Sequence, residues 1–338
     1  MKQTTYLGIE ENKSREVYID VVAGIMIFWM ILGHCCYFSH QSVPYYSLLG
    51  FYMPWFFYKS GKFFVTRDKS AVLKKDTHKL LRYFMIYSGI GWVVWVVCGQ
   101  MDGSLHLRDC FIQTLKLFIF NGSIKGNGAL WFLLSLFIVR QLSNMLIVKL
   151  KMDISIPILA IACFVIAFTL YAIGWYNYSW WFGNVFSGMC FFLLGYWLKN
   201  KENNTALFII STLFFALIVL AYCVGWVGDF PYLYMHANKM YKGNYLLFYP
   251  TALAGIIMTN NLFRLLCKHV RFSILEYIGK NSMTFYTTHW ILFVIVTFVT
   301  HYFFNVEKPV ILFIILLGSC IVFLPLINVL IRSIKSKQ

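Results

Sequence analysis

Charge is scarce in this sequence. Only 12% of its 338 residues are Asp, Glu, Lys or Arg, against roughly 25% in an average soluble domain. A soluble chain of this length needs a charged exterior, yet 60% of these residues are apolar and 20% aromatic. Mean hydropathy is +0.68, and several apolar runs reach the length of about 20 residues that a membrane helix needs. This excludes soluble α/β and all-β domains and disordered regulators. Strict apolar–polar alternation is also missing, which excludes a transmembrane β-barrel. The nine cysteines form no CxxC pair. Most lie in apolar runs, where cysteine behaves as a small hydrophobe, so neither a metal site nor a disulfide framework is expected. No small-residue cleavage site follows the first apolar run, which is therefore expected to remain as a helix. No convincing internal repeat is visible, which weighs against many secondary transporters and makes residues 1–338 one domain.

What is present is a series of apolar spans separated by basic punctuation. The expected fold is an all-α polytopic bundle of about ten transmembrane helices, at 17–38, 45–65, 80–98, 128–148, 156–176, 180–199, 207–227, 244–263, 283–304 and 309–331. Residues 1–16 and 332–338 would be cytoplasmic flanks. With the N-terminus inside, inner segments hold 21 of the 29 Lys and Arg residues, outer segments hold six, and Lys59 and Lys62 fall within the second span. The net charge of +16 is thus a topology signal that places both termini inside, and nucleic acid is not an expected partner. Two outer loops are long. Residues 99–127 carry an amphipathic stretch, Phe111–Phe120, suited to the membrane interface. Residues 228–243 contain several tyrosines and His236. Such loops either cover a site or simply connect spans, and the outer aromatics (Trp175, Tyr176, Tyr178, Trp180, Trp181, Tyr232, Tyr234) read first as an interfacial belt.

Ionisable groups inside a bilayer are costly and mark function by default. The first span carries Asp20 and, fourteen residues later, His34. At 1.5 Å per residue they are about 21 Å apart on nearly the same helix face, two stations along one wall. The alternative for His34 is a neutral core histidine. The ninth span carries Ser282, Tyr286 and His289 at i, i+4 and i+7, one helix face, which suits hydrogen bonding to a polyol or a thioester carbonyl, or else polar contact between helices. In the second span Pro54 should introduce a kink, and Ser60-Gly61 should allow close backbone approach. Lys59 and Lys62 either snorkel to lipid or clamp an anion, and the basic run from Arg67 to Arg82 is a phosphate platform or a topology signal.

In order along the chain, Ile19-Asp20 with Gly33-His34, then Phe51-x-Met53-Pro54-x-Phe56-Phe57-x-x-Ser60-Gly61, then Leu130-Trp131-Phe132-Leu133, then Phe191-Phe192-Leu193-Leu194-Gly195-Tyr196, and finally Ile278-Gly279-Lys280-Asn281-Ser282 with Tyr286 and His289 resemble the acyltransferase-3 family of bacterial integral-membrane acyltransferases, particularly its fucose 4-O-acetylase-like branch. Three positions depart from the family pattern: Ala23 and Tyr83 stand where a basic residue and a proline are usual, and Lys59 occupies a place usually apolar.

The resemblance implies O-acyl transfer, most often of acetyl, from cytoplasmic acyl-CoA to a hydroxyl of a cell-surface glycan or lipid-linked sugar in the bacterial inner membrane. Acetyl-CoA would be a co-substrate, with no permanently bound cofactor and no metal. His34 would be the base or acyl carrier, since a sugar hydroxyl needs a base near neutrality. Tyr286, His289 or Ser282 would donate to the oxyanion. Lys59, Lys62, Lys75, Lys79 and Arg82 would hold the CoA phosphates, and Asp20, Ser60, Trp131, Asn281 and Ser282 would line the substrate path. The competing class is a glycan or lipid-linked-sugar transporter in which Asp20, His34 and His289 bind substrate or relay protons.

Overall fold

A computed structural model describes residues 16–43, 46–105, 107–149 and 155–336; most of the expected N-terminal flank, 1–16, lies outside the described residues. Among the described residues the fold is all-α apart from one small hairpin. Nine helices among the described residues are long and apolar enough to cross a membrane: α1 (Val17–Ser39), α4 (Arg82–Met101), α6 (Trp131–Lys149), α7 (Ser155–Ala172), α8 (Trp181–Leu198), α9 (Thr205–Cys223), α10 (Tyr245–Leu266), α12 (Ser282–Phe304) and α13 (Pro309–Ser336). The expected inner tail from 332 continues α13 as helix to Ser336.

The second expected span is different. Residues 45–65 do not form a continuous membrane helix: a 3-10 turn at Tyr46–Leu49 precedes α2, only Tyr52–Lys62. Pro54 is the third residue of α2. In the first turn its missing N–H removes no helical bond, so the expected interior kink is absent. The segment still crosses antiparallel to α1, because Tyr46 bonds Trp29 in the middle of α1 whereas Lys62 reaches Tyr18 at its start. Close approach to α8 fixes α2 in place. A Cβ at Gly61 would lie 1.8 Å from the Phe192 carbonyl oxygen, and one at Gly195 would lie 2.1 Å from that of Tyr58. Only glycine permits both contacts, and Trp55, Phe57 and Tyr58 are fully buried around them.

The basic run is mostly helical: α3 (Lys69–Asp76) leads through a π turn at 77–81 into α4. The amphipathic outer stretch is α5 (Leu107–Asn121), with Phe111, Leu115 and Ile119 exposed. Between α9 and α10 the tyrosine-containing loop forms an antiparallel hairpin, β1 (Tyr232–Tyr234) and β2 (Lys239–Lys242). Its tip is buried through Met235, Ala237 and Asn238, so the loop inserts into the bundle instead of lying on it. A short inner helix, α11 (Ser273–Lys280), meets α1 where Gly24 faces the Leu275 carbonyl oxygen and Gly279 that of Asp20, at 2.1 and 1.7 Å from the Cβ each glycine lacks.

Candidate active site

α1 and α12 pack together and bring two imidazoles into line. His34 Nδ1 lies 2.8 Å from His289 Nε2. The ring planes differ by only 8° and the centroids are 5.0 Å apart, which is the N···N distance plus a ring radius at each end. The bond is therefore in-plane and well directed. The tautomers follow from the next partner. His289 Nδ1 lies 3.1 Å from the Phe285 carbonyl oxygen, which can only accept, so neutral His289 carries its proton on Nδ1. Its Nε2 then accepts, His34 donates from Nδ1, and the lone pair of His34 resides on Nε2. His289 is wholly buried, and the edge of Trp290 packs on His34 at 4.9 Å.

One cavity is bordered by His34, and a second reaches Tyr286, one turn before His289. The outer one, about 50 Å³, is bordered by His34, Tyr52, Trp131, Tyr232, Tyr234 and His236. The inner one is about 300 Å³. Its walls are apolar (Ile27, Phe132, Leu136), and Lys59, Ser60 and Arg140 also border it. Tyr286 borders both cavities. Its hydroxyl donates to the Ala129 carbonyl, so in this arrangement Tyr286 and His289 both spend their protons on backbone oxygens.

The sequence model of the acyltransferase domain family matches residues 16–329, a stretch that contains every helix bordering the two cavities. The chain belongs to the acyltransferase-3 family. It is a multi-pass membrane acyltransferase. No curated protein and no solved structure matches the chain.

The acyltransferase gathers only some of the residues singled out by sequence. His34, Trp131 and Tyr286 border the outer cavity, and Lys59, Ser60, Ser282 and Tyr286 the inner one. Asp20 is buried where α1 meets α11 and borders neither cavity. Asn281 caps α11, accepting from Arg332 and donating to the Tyr277 carbonyl oxygen at 2.7 Å. Lys75, Lys79 and Arg82 are exposed on the α3–α4 segment and border neither cavity. Lys62 is turned away from the inner cavity. It forms a buried ion pair with Glu202 at 2.8 Å and bonds the Tyr18 hydroxyl at 3.0 Å. Its charge is already matched in a network that continues through Asn260 to Trp55, so it is not presented as a donor clamp.

Arg140 is absent from the residues expected to form the site. It lies in the middle of α6 and falls among the topology charges, although an arginine nine residues into an apolar span is itself a signal. Its Nε donates to Asp76 at 2.9 Å and its Nη1 to Ser60 Oγ at 3.1 Å. Gln141 also donates to the same carboxylate oxygen, Asp76 Oδ2, at 3.0 Å, and Arg140 itself borders the inner cavity. Among the described residues, no group of three or more His, Cys, Asp or Glu side chains is arranged to hold a metal ion.

Proposed function

We propose that the protein transfers an acyl group, most simply acetyl, from cytoplasmic acyl-CoA to a hydroxyl of a cell-surface glycan or lipid-linked sugar precursor in the bacterial inner membrane. The observation that carries this reading is the directed His34–His289 pair, with His34 bordering the outer cavity.

The two cavities suit two chemically different substrates. The inner one has a volume in the range that small ligands fill, about 300–1,000 Å³. Its apolar walls suit the pantetheine arm, and Lys59 and Arg140 suit the anionic end of the donor. The outer cavity suits an alcohol. His34 Nε2 takes the proton of the acceptor hydroxyl as the oxygen attacks the thioester carbonyl carbon. The C–S bond then breaks, and the thiolate of CoA recovers that proton from His34. During this cycle the His34 imidazolium keeps its Nδ1–H bond to His289, which the Phe285 carbonyl holds in the accepting tautomer. The second imidazole thus orients the base and spreads its positive charge. Tyr286 borders both cavities, so a thioester carbonyl reaching His34 from the inner one would lie beside it. Moving its hydroxyl proton from Ala129 to that oxygen would supply an oxyanion donor.

The test is His34→Ala in purified protein with labelled acetyl-CoA and envelope glycan. Transfer is expected to fall by about 10²–10⁴ with normal membrane insertion; unchanged transfer refutes the reading. Acetyl-enzyme trapped when donor is supplied without acceptor would instead make His34 an acyl carrier. Donor-independent flux of the glycan across vesicles would favour transport.

A further inference from the structure

The outer cavity holds a second imidazole for which the acyl-transfer step has no use. His236 sits at the turn of the β1–β2 hairpin and borders the same cavity as His34. Its main chain is firmly fixed. The Asn184 side chain donates to the His236 carbonyl oxygen at 3.0 Å, and Ser135 Oγ in turn donates to Asn184 Oδ1 at 2.8 Å. Two residues on, Asn238 has a left-handed backbone with φ of 51°. There it donates to the Ala167 carbonyl at 2.8 Å and accepts from Ser187 and Tyr245 at 2.8 and 2.7 Å. The His236 ring is held just as closely, between Trp180 at 4.7 Å, Tyr234 at 5.5 Å and Trp131 at 6.1 Å. Yet among the described residues neither ring nitrogen has a hydrogen-bond partner. A polar ring placed this firmly and left unpaired in a cavity is arranged for something that enters.

The cavity restricts what that is. None of its lining residues is charged, so an ionised group there would lie unpaired in a desolvated site. Several of its walls are aromatic rings with polar edges, and a volume of about 50 Å³ has room for about four water-sized groups. This accommodates the reacting hydroxyl and one neighbour, with the rest of the molecule directed outward along the hairpin.

We propose that His236 selects the acceptor by hydrogen-bonding a second hydroxyl beside the one that His34 deprotonates, so that the acceptor is a neutral saccharide with at least two adjacent free hydroxyls. The assignment rests on the outer cavity being the acceptor site, as in the acyl-transfer reading, but it concerns binding rather than chemistry. It can therefore be tested without donor.

The protein in lipid nanodiscs is examined by saturation-transfer NMR with the methyl pyranosides of glucose, galactose, mannose and N-acetylglucosamine, and with ethanol and 1-propanol as simple alcohols. At least one glycoside is expected to bind, with neither alcohol matching it. His236→Phe, which keeps the aromatic packing, should weaken that binding at least tenfold, and His236→Gln, which keeps a hydrogen-bonding edge, should restore it to within threefold. Removing either of two adjacent hydroxyls from the glycoside should weaken binding to wild type, and for one of the two deoxy compounds the difference between wild type and His236→Phe should vanish. The proposal is overturned if no glycoside binds wild type, or if His236→Phe binds as well as wild type while retaining its elution profile and thermal transition. CoA release is measured separately. Its absence alongside intact glycoside binding would defeat acyl transfer and leave the role of His236 standing.

Discussion

The outer and inner cavities lie on either side of one tyrosine, and they differ in nearly everything else. The outer cavity is about 50 Å³, free of charged lining groups and walled by rings with polar edges. The inner is about 300 Å³, largely apolar, and bordered by two cations. Where partners must be told apart by hydroxyl pattern, close walls and directed hydrogen-bonding groups matter, because a missing bond there leaves a buried polar group unpaired. Where the ligand is long, flexible and anionic, volume and positive charge are enough. Under the proposed reaction the contrast would give discrimination to the outer half and capacity to the inner half, and mutations on each side should have separable effects.

The largest effect is expected at the junction. His289→Phe removes the acceptor for His34 Nδ1–H and should lower kcat by about 10²-fold, within the range for a positioned proton-transfer group. His289→Gln, whose amide oxygen can accept the same bond, should lose less. Equal losses in steady-state kinetics would show that the in-plane pair is incidental. Next is Arg140→Met, which should raise the KM for acyl-CoA by about tenfold, the order expected when one charge-assisted contact of roughly 1.5–3 kcal/mol is lost, while leaving the acceptor KM nearly constant. Because Asp76 would then be buried and unpaired, Arg140→Met combined with Asp76→Asn serves as the control for folding. A shift in acceptor KM instead would break the division between the two halves.

The lysines of α2 sharpen the comparison further. Lys59→Met should weaken donor binding by a few fold, whereas Lys62→Met should leave donor KM near wild type and lower the thermal unfolding temperature. Removing one partner from a buried pair costs about 3–5 kcal/mol, and the Lys62 and Glu202 side chains are only 7% and 1% exposed. The smallest effect is one of pH. Burial pushes His236 from 6.5 down to about 4, so between those values the unfolded chain binds the extra proton and the fold does not. Stability from this group should be complete above about pH 6.5, fall as pH drops towards 4, and level off below. Thermal unfolding across that range should show a shallower fall in His236→Phe than in wild type.

Much of this architecture is written in local pattern. Long apolar runs and the distribution of Lys and Arg define α1, α4, α6–α10, α12 and α13, because both signals depend on composition along one segment. The second span misleads for the same reason: its apolar content reads as a membrane helix, while the 3-10 turn and the short α2 reflect packing of Gly61 and Gly195 across α8. His34 stands out as a lone imidazole in an apolar run. Its partner His289, 255 positions away, is visible only as part of a stripe, since nothing local specifies that α1 and α12 adjoin. Lys62 and Arg140 exchange roles between sequence and structure for a similar reason. Glu202 and Asp76, which decide where each cation points, come from other elements, and isolated positive charges along a chain look alike.

Tyr286 has one more consequence. Under the proposed reaction, a catalyst that meets one substrate from each side of a bilayer has the layout of a channel and yet must not conduct. An aromatic bulkhead bordering both chambers, its hydroxyl tethered to the main chain of the turn before α6, would let chemistry pass between compartments while ions and water stay on their own sides. Trimming that ring to alanine would threaten the ion gradients of the host membrane as well as turnover.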